Sequence, residues 1–78
     1  MVEAPLSASV WQVDVGAGDR VSTGQRLVTL EAMKMETAID SPLDGEVLEV
    51  LVSRGEEVVS GAALIVLSAH VNDNRPMP

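Results

Sequence analysis

Apolar residues in this chain recur at every second position in short bursts, separated by glycine-containing breaks. In "SVWQVDV" (residues 9–15) the alternation sets Trp11, Val13 and Val15 on one face and Gln12 and Asp14 on the other. "EVLEVLV" (46–52) repeats the arrangement with Leu48, Val50 and Val52. "GAGD" and "SRGE" follow as turns, where Gly18 and Gly55 can take positive φ. "RVSTGQ" and "EVVSGA" come next, each broken by a glycine at Gly24 or Gly61, and "RLVTLE" and "ALIVLS" read as strands. No segment has the caps and 3.6-residue period of a helix. The pattern predicts an all-β chain.

The same pattern is written twice. "APLSASVWQVDVGAGDRVSTGQRLVTLEA" from Ala4 lies over "SPLDGEVLEVLVSRGEEVVSGAALIVLSA" from Ser41 at an offset of 37 residues, and 11 of the 29 aligned positions are identical without a gap. Valine-rich strands could match by chance at several apolar positions. The in-phase pairs Pro5/Pro42, Gly18/Gly55 and Gly24/Gly61 point instead to a tandem duplication of one supersecondary unit. Two such units packed on their Val/Leu faces predict a flattened antiparallel β-barrel or sandwich of two similar sheets related by a pseudo-two-fold axis. Residues 1–70 then form one domain. "HVNDNRPMP" has lost the period, and residues 71–78 are expected to be a flexible C-terminal tail.

Composition supports this and narrows the chemistry. With 78 residues there is room for one small domain, built from thirteen valines, eight leucines and two isoleucines, with Trp11 as the sole aromatic residue. Valine at this density suits pleated sheets. The absence of cysteine excludes disulfides and thiolate-metal sites, and His70 is expected to be a surface residue, not a metal ligand. A net charge of −7 argues against nucleic acid or an anionic membrane as partner. There is neither an apolar run long enough to span a bilayer nor a signal-like N-terminus, so a soluble cytoplasmic domain is expected.

The two copies diverge at "EAMKMETA" (31–38). Here the first copy turns back on itself, making positions 27–40 a β-hairpin with Met33 and Lys34 at its tip. Tight hairpin turns favour Asn-Gly because both central residues of a type I′ turn need positive φ, so Met-Lys is a poor structural choice. A breach of local turn chemistry tends to mark function. A lysine at a loop tip is ordinarily a solubilising group. Lys34, however, is the only lysine in the chain, and Met33 and Met35 beside it neither fill a core nor help the turn. Methionine adapts readily to a partner's surface, and the combination suggests a docking and modification site. Glu31 and Glu36 could steer a basic partner or simply solvate a strand edge.

"LEAMKME", with "GDRVSTGQRL" before it and "SPLDGEV" after it, resembles the biotinyl domain of biotin-dependent carboxylases, whose attachment signature is Ala/Ser-Met-Lys-Met. The resemblance runs from about Val2 to Leu67. It implies a barrel-sandwich hybrid fold with biotin joined covalently to Lys34, while Glu31, Ala32, Met33, Met35 and Glu36 are presented to partners. Those partners would be a biotin protein ligase, a biotin carboxylase and a carboxyltransferase. The biotinyl arm would shuttle a carboxyl group between the last two, and the domain itself would be a non-catalytic carrier. Lipoyl domains share the fold but typically carry Asp-Lys-Ala at the tip. A lipoyl-type acyl carrier and an unmodified barrel-sandwich adaptor are the alternative readings. The chain departs from the family at Ala8, where many relatives have glycine, as the second copy does at Gly45. The tight "VDVGAGDRV" connection also leaves no space for the "thumb" segment of some acetyl-CoA carboxylase carriers.

Overall fold

A computed structural model describes residues 1–69, so the expectations for His70 and for the 71–78 tail lie outside the described residues. The described residues are all-β, with eight strands: β1 (Val2–Glu3), β2 (Ala8–Val13), β3 (Arg20–Val21), β4 (Arg26–Ala32), β5 (Met35–Asp40), β6 (Gly45–Val50), β7 (Glu57–Val58) and β8 (Ala63–Ala69). They form two four-stranded antiparallel sheets with orders β1-β8-β6-β3 and β5-β4-β2-β7. None of the described residues lies in a helix, so no helix is long and apolar enough to cross a membrane.

The duplication carries through to backbone pairing, except that the first copy lacks an Ala8/Ala32 pair to match Gly45/Ala69. Strands β2, β3 and β4 map onto β6, β7 and β8 at the 37-residue offset, and β1 maps onto the end of β5. The two copies also exchange strands. β3 of the first copy pairs with β6 of the second, and β7 of the second pairs with β2 of the first. Reciprocal bonds fix this exchange: the Gly18 N–H donates to the Val47 carbonyl as the Gly55 N–H does to Val10, each at 2.7 Å. Both glycines sit at positive φ, 94° and 89°, where a side chain would be strained.

Between the sheets lies one aliphatic core in which Val10, Leu27, Val28 and Leu30 meet Val47, Leu64 and Ile65. Trp11 and Leu48 do not join it, contrary to the simple alternation: they are 45% and 55% exposed. Each occupies a β-bulge. Val10 opposes Leu30 while Gln12 opposes Thr29, leaving Trp11 as the extra residue, and Leu48 is skipped in the same way between Val47/Leu67 and Glu49/Val66. One extra residue reverses the facing of everything before it. Val10 and Val47 therefore turn inward along with Val13, Val15, Val50 and Val52.

Two polar residues are buried, Thr29 and Ser41; the Ser41 hydroxyl donates to the Leu43 carbonyl, whereas Thr29 is the exception. It lies on the outward side of β4, opposite exposed Gln12 and Ala38, yet it is buried and its hydroxyl has no hydrogen-bond partner among the described residues. The second copy has Val66 at this position. An unsatisfied buried hydroxyl costs about 1–3 kcal/mol, whereas an apolar group of the same shape does not carry that cost. Thr29→Val should therefore leave the fold unchanged and raise unfolding stability by up to about 1 kcal/mol, measured as a higher urea midpoint at constant m-value.

Candidate functional site

The strongest local conflict between residue and backbone is at the end of the β4–β5 hairpin. The ladder runs Thr29/Ala38, Leu30/Thr37, Glu31/Glu36 and Ala32/Met35, which leaves Met33 and Lys34 as a two-residue loop. Their φ angles are 53° and 67°, both in the left-handed region and as a type I′ turn requires. Neither residue is glycine, asparagine or aspartate, and left-handed φ costs an L-residue roughly 1–2 kcal/mol. The chain thus holds its sole lysine on a tight turn that its own sequence disfavours.

The tip is open to solvent. Met33 is 94% and Met35 70% exposed, and Lys34 is also exposed. Two apolar side chains flank a primary amine on a protrusion where they bury almost nothing. Beneath them Glu31 and Glu36 stand directly opposite one another on the outer face, a like-charge pair that β-sheets normally avoid. Ser9 opposes Glu31 on the other side and Glu57 opposes Ser9, so one row across the sheet reads Glu57, Ser9, Glu31, Glu36. The structure brings together every residue singled out in the sequence: Glu31, Ala32, Met33, Lys34, Met35 and Glu36. It adds Glu57, which no sequence pattern places near residues 31–36, because it arrives through the strand exchange. No described group of three His, Asp or Glu side chains is arranged to hold a metal.

The related corner of the other sheet is built differently. There Gly45 pairs with Ala69, and a Cβ on Gly45 would collide with the Ser68 carbonyl oxygen and lie 2.7 Å from a Leu43 methyl. Ala8 is the counterpart of Gly45. Its β2–β4 ladder stops one pair short at Ser9/Glu31, and Ala32 has a ladder partner only in Met35. The departure at Ala8 thus leaves a shortened ladder directly under the lysine turn.

A primary amine alone at a strained, methionine-flanked tip suits covalent loading of a carrier group, and comparison with known proteins agrees. The family of biotin-requiring enzymes with biotin/lipoyl domains matches residues 2–67. The chain belongs to this family. A putative urea carboxylase of Emericella nidulans is 51% identical over 39 residues, half of this chain and 3% of that protein. A single-chain, multi-domain long-chain acyl-CoA carboxylase superposes with a TM-score of 0.82 at 34% identity, covering 87% of this chain and 7% of that one. The lipoyl domain of the 2-oxoglutarate dehydrogenase complex from Azotobacter vinelandii superposes with a TM-score of 0.72 over 87% of this chain and 96% of its own. Its 20% identity shows a shared fold only. Taken together, the family and the carboxylase relatives make the chain a biotin carboxyl carrier domain, and the lipoyl alternative is the less supported reading. It spans only a small part of the carboxylases that it matches.

Replacing Met33-Lys34 by Asn-Gly should relieve the turn. The double variant is expected to gain about 1–2 kcal/mol of stability, since both new residues tolerate the left-handed region. Thermal and urea unfolding would show the gain, and intact mass after ligase treatment would show the loss of the acceptor amine.

Proposed function

We propose that this carrier domain bears its biotin on the ε-nitrogen of Lys34 and presents it in turn to a biotin carboxylase and a carboxyltransferase. The supporting observation is the lysine itself, alone of its kind in the sequence and held at a strained, solvent-exposed turn between two exposed methionines. The residues fit the group: the amine is accessible, and the tip leaves room for a bicyclic ring on a long aliphatic arm.

Only a neutral amine attacks an acyl donor. A biotin protein ligase therefore supplies the base, the desolvation and the activated biotinyl-adenylate. Attack of Nζ on the acyl carbon forms the amide and releases AMP, and the surplus proton passes to the ligase's base. The domain contributes geometry: the turn fixes where the amine stands, and Ala32, Met33 and Met35 supply an adaptable apolar collar for partners. Glu31 and Glu36 give the approach a negative field suited to a basic partner.

Bound biotin supplies a ureido nitrogen that accepts and gives up a carboxyl group. The chain's part in that cycle is to hold the arm and confine it near its partners, at an effective concentration on the order of mM for a flexible link. The carboxylation and transfer chemistry belongs to those partners, in keeping with a cytoplasmic carrier whose acceptor substrate is recognised by another domain.

Lys34→Arg should abolish biotin incorporation completely while leaving the melting transition unchanged, because guanidinium cannot form the amide and the side chain is exposed. Intact mass and avidin blotting after co-expression with ligase check this, and incorporation at any other residue would overturn the assignment. Met33→Asp with Met35→Ala should slow incorporation by at least tenfold at unchanged stability. Equal ligase kinetics would remove the methionines from recognition.

A further inference from the structure

A concavity on the described surface lies beside the lysine turn. It is an open groove of about 660 Å³ between the start of β2, strand β7 and the base of the β4–β5 hairpin. This volume falls within the ~300–1,000 Å³ of small-molecule sites. Ala8, Ala32, Val58 and Val59 line it with Met33, the residue next to Lys34. Two carboxylates, Glu31 and Glu57, lie along it with Ser9 between them in register.

The size of the groove has an identifiable origin. In the second copy the ladder runs one pair further, to Gly45/Ala69, because Gly45 lets the Ser68 carbonyl approach its Cα, and the equivalent corner keeps a smaller concavity of about 270 Å³ lined by Arg20, Val21, Ser22, Asp44 and Gly45. Ala8 places a methyl at the matching position, and its ladder ends at Ser9/Glu31. We propose that this opened corner is a berth for the biotin ring carried by Lys34 of the same chain, a proposal that rests on the reading of Lys34 as the attachment site. The thioether ring would lie on Ala8, Val58 and Val59. Its ureido N–H groups would donate to Glu31 or Glu57, and the Ser9 hydroxyl would donate to the ureido oxygen. These are the donor and acceptor types the ring needs, and the apolar lining matches the rest of it.

Tethering makes a weak berth sufficient. With the ring at an effective concentration on the order of 1 mM, a site whose intrinsic dissociation constant is about 1 mM is about half occupied. Such a berth covers the apolar ring between visits to the partners, yet releases it without a barrier that would slow turnover. Exposed Val59 is the side chain whose change interferes least with the fold, because it is 66% exposed and outside the buried core.

Methyl and amide NMR of the full chain tests the berth, comparing the unmodified and the fully biotinylated protein after intact mass has established loading. The expected result is chemical-shift changes at Ala8, Ala32, Val58 and Val59, with NOEs from ring protons to the Val58 and Val59 methyls. Val59→Glu should abolish these changes at full loading and speed capture by streptavidin about twofold, the factor expected from half occupancy. Ala8→Gly should act in the same direction by letting the ladder close. Full loading with shifts confined to residues 33–35, or an unaltered capture rate in Val59→Glu, overturns the berth and leaves Lys34 as the attachment site. A chain that gains no biotin mass overturns both.

Discussion

The reciprocal exchange of two short strands is the constraint on which the molecule depends. β3 and β7 are two residues long, and each pairs with the sheet of the other copy through Gly18/Val47 and Gly55/Val10 bonds. Without the exchange, β6 and β2 would each lack a partner on one side. β3 and β7 supply that partner from the other copy and oblige the halves to fold together. A domain this small hides only about 60% of its unfolded surface, so locking two sheets face to face with backbone bonds is an economical use of a modest aliphatic core.

The exchange also explains how a strained tip is tolerated. β4 is hydrogen-bonded on both sides, to β2 and to β5, and Leu27, Val28 and Leu30 are almost wholly buried. The hairpin therefore cannot relax by shifting register, because a one-residue slip would turn Leu30 and Val28 out to solvent. The ladder overrides the preference of Met33 and Lys34 against positive φ and fixes the direction in which the amine leaves the surface. For a carrier whose arm is flexible, a stiff root is what limits the volume the cofactor explores.

Most of the architecture could be read from residues 4–69, because the repeat carries its glycines and proline in phase with its valines. The hairpin and its tip were equally legible, since the site's chemistry lies within eight consecutive residues. Two features were hidden. The facing of Trp11 and Leu48 was misread because a bulge inserts one residue without any compositional mark, and alternation alone cannot detect a change of parity. The exchange was invisible because β3 and β7 each offer a single buried valine, Val21 or Val58, too short a signal to assign to a sheet. With it went the position of Glu57 and of the groove, whose lining comes from three separate stretches of chain. Ala8 was visible as a departure from the family, but only the collision awaiting a Cβ at Gly45 shows what the departure does.

The proposed function falls where the two copies stop being alike. A perfect duplicate would have two like corners and no reason to prefer either. The first copy differs at three neighbouring points: the strand continues into a hairpin after Ala32, the turn carries the lysine, and alanine replaces glycine where the ladder would close. The hairpin needs symmetry-related support from β2 and β7, so it could not move elsewhere without losing its base. The methyl of Ala8 acts on that same base. The symmetric part of the shell supplies stiffness, and the asymmetric corner uses it to hold an amine beside an apolar, acid-rimmed hollow. Substitutions in the related corner around Gly45 should accordingly be felt as stability, and those around Ala8 as a change in how the arm behaves.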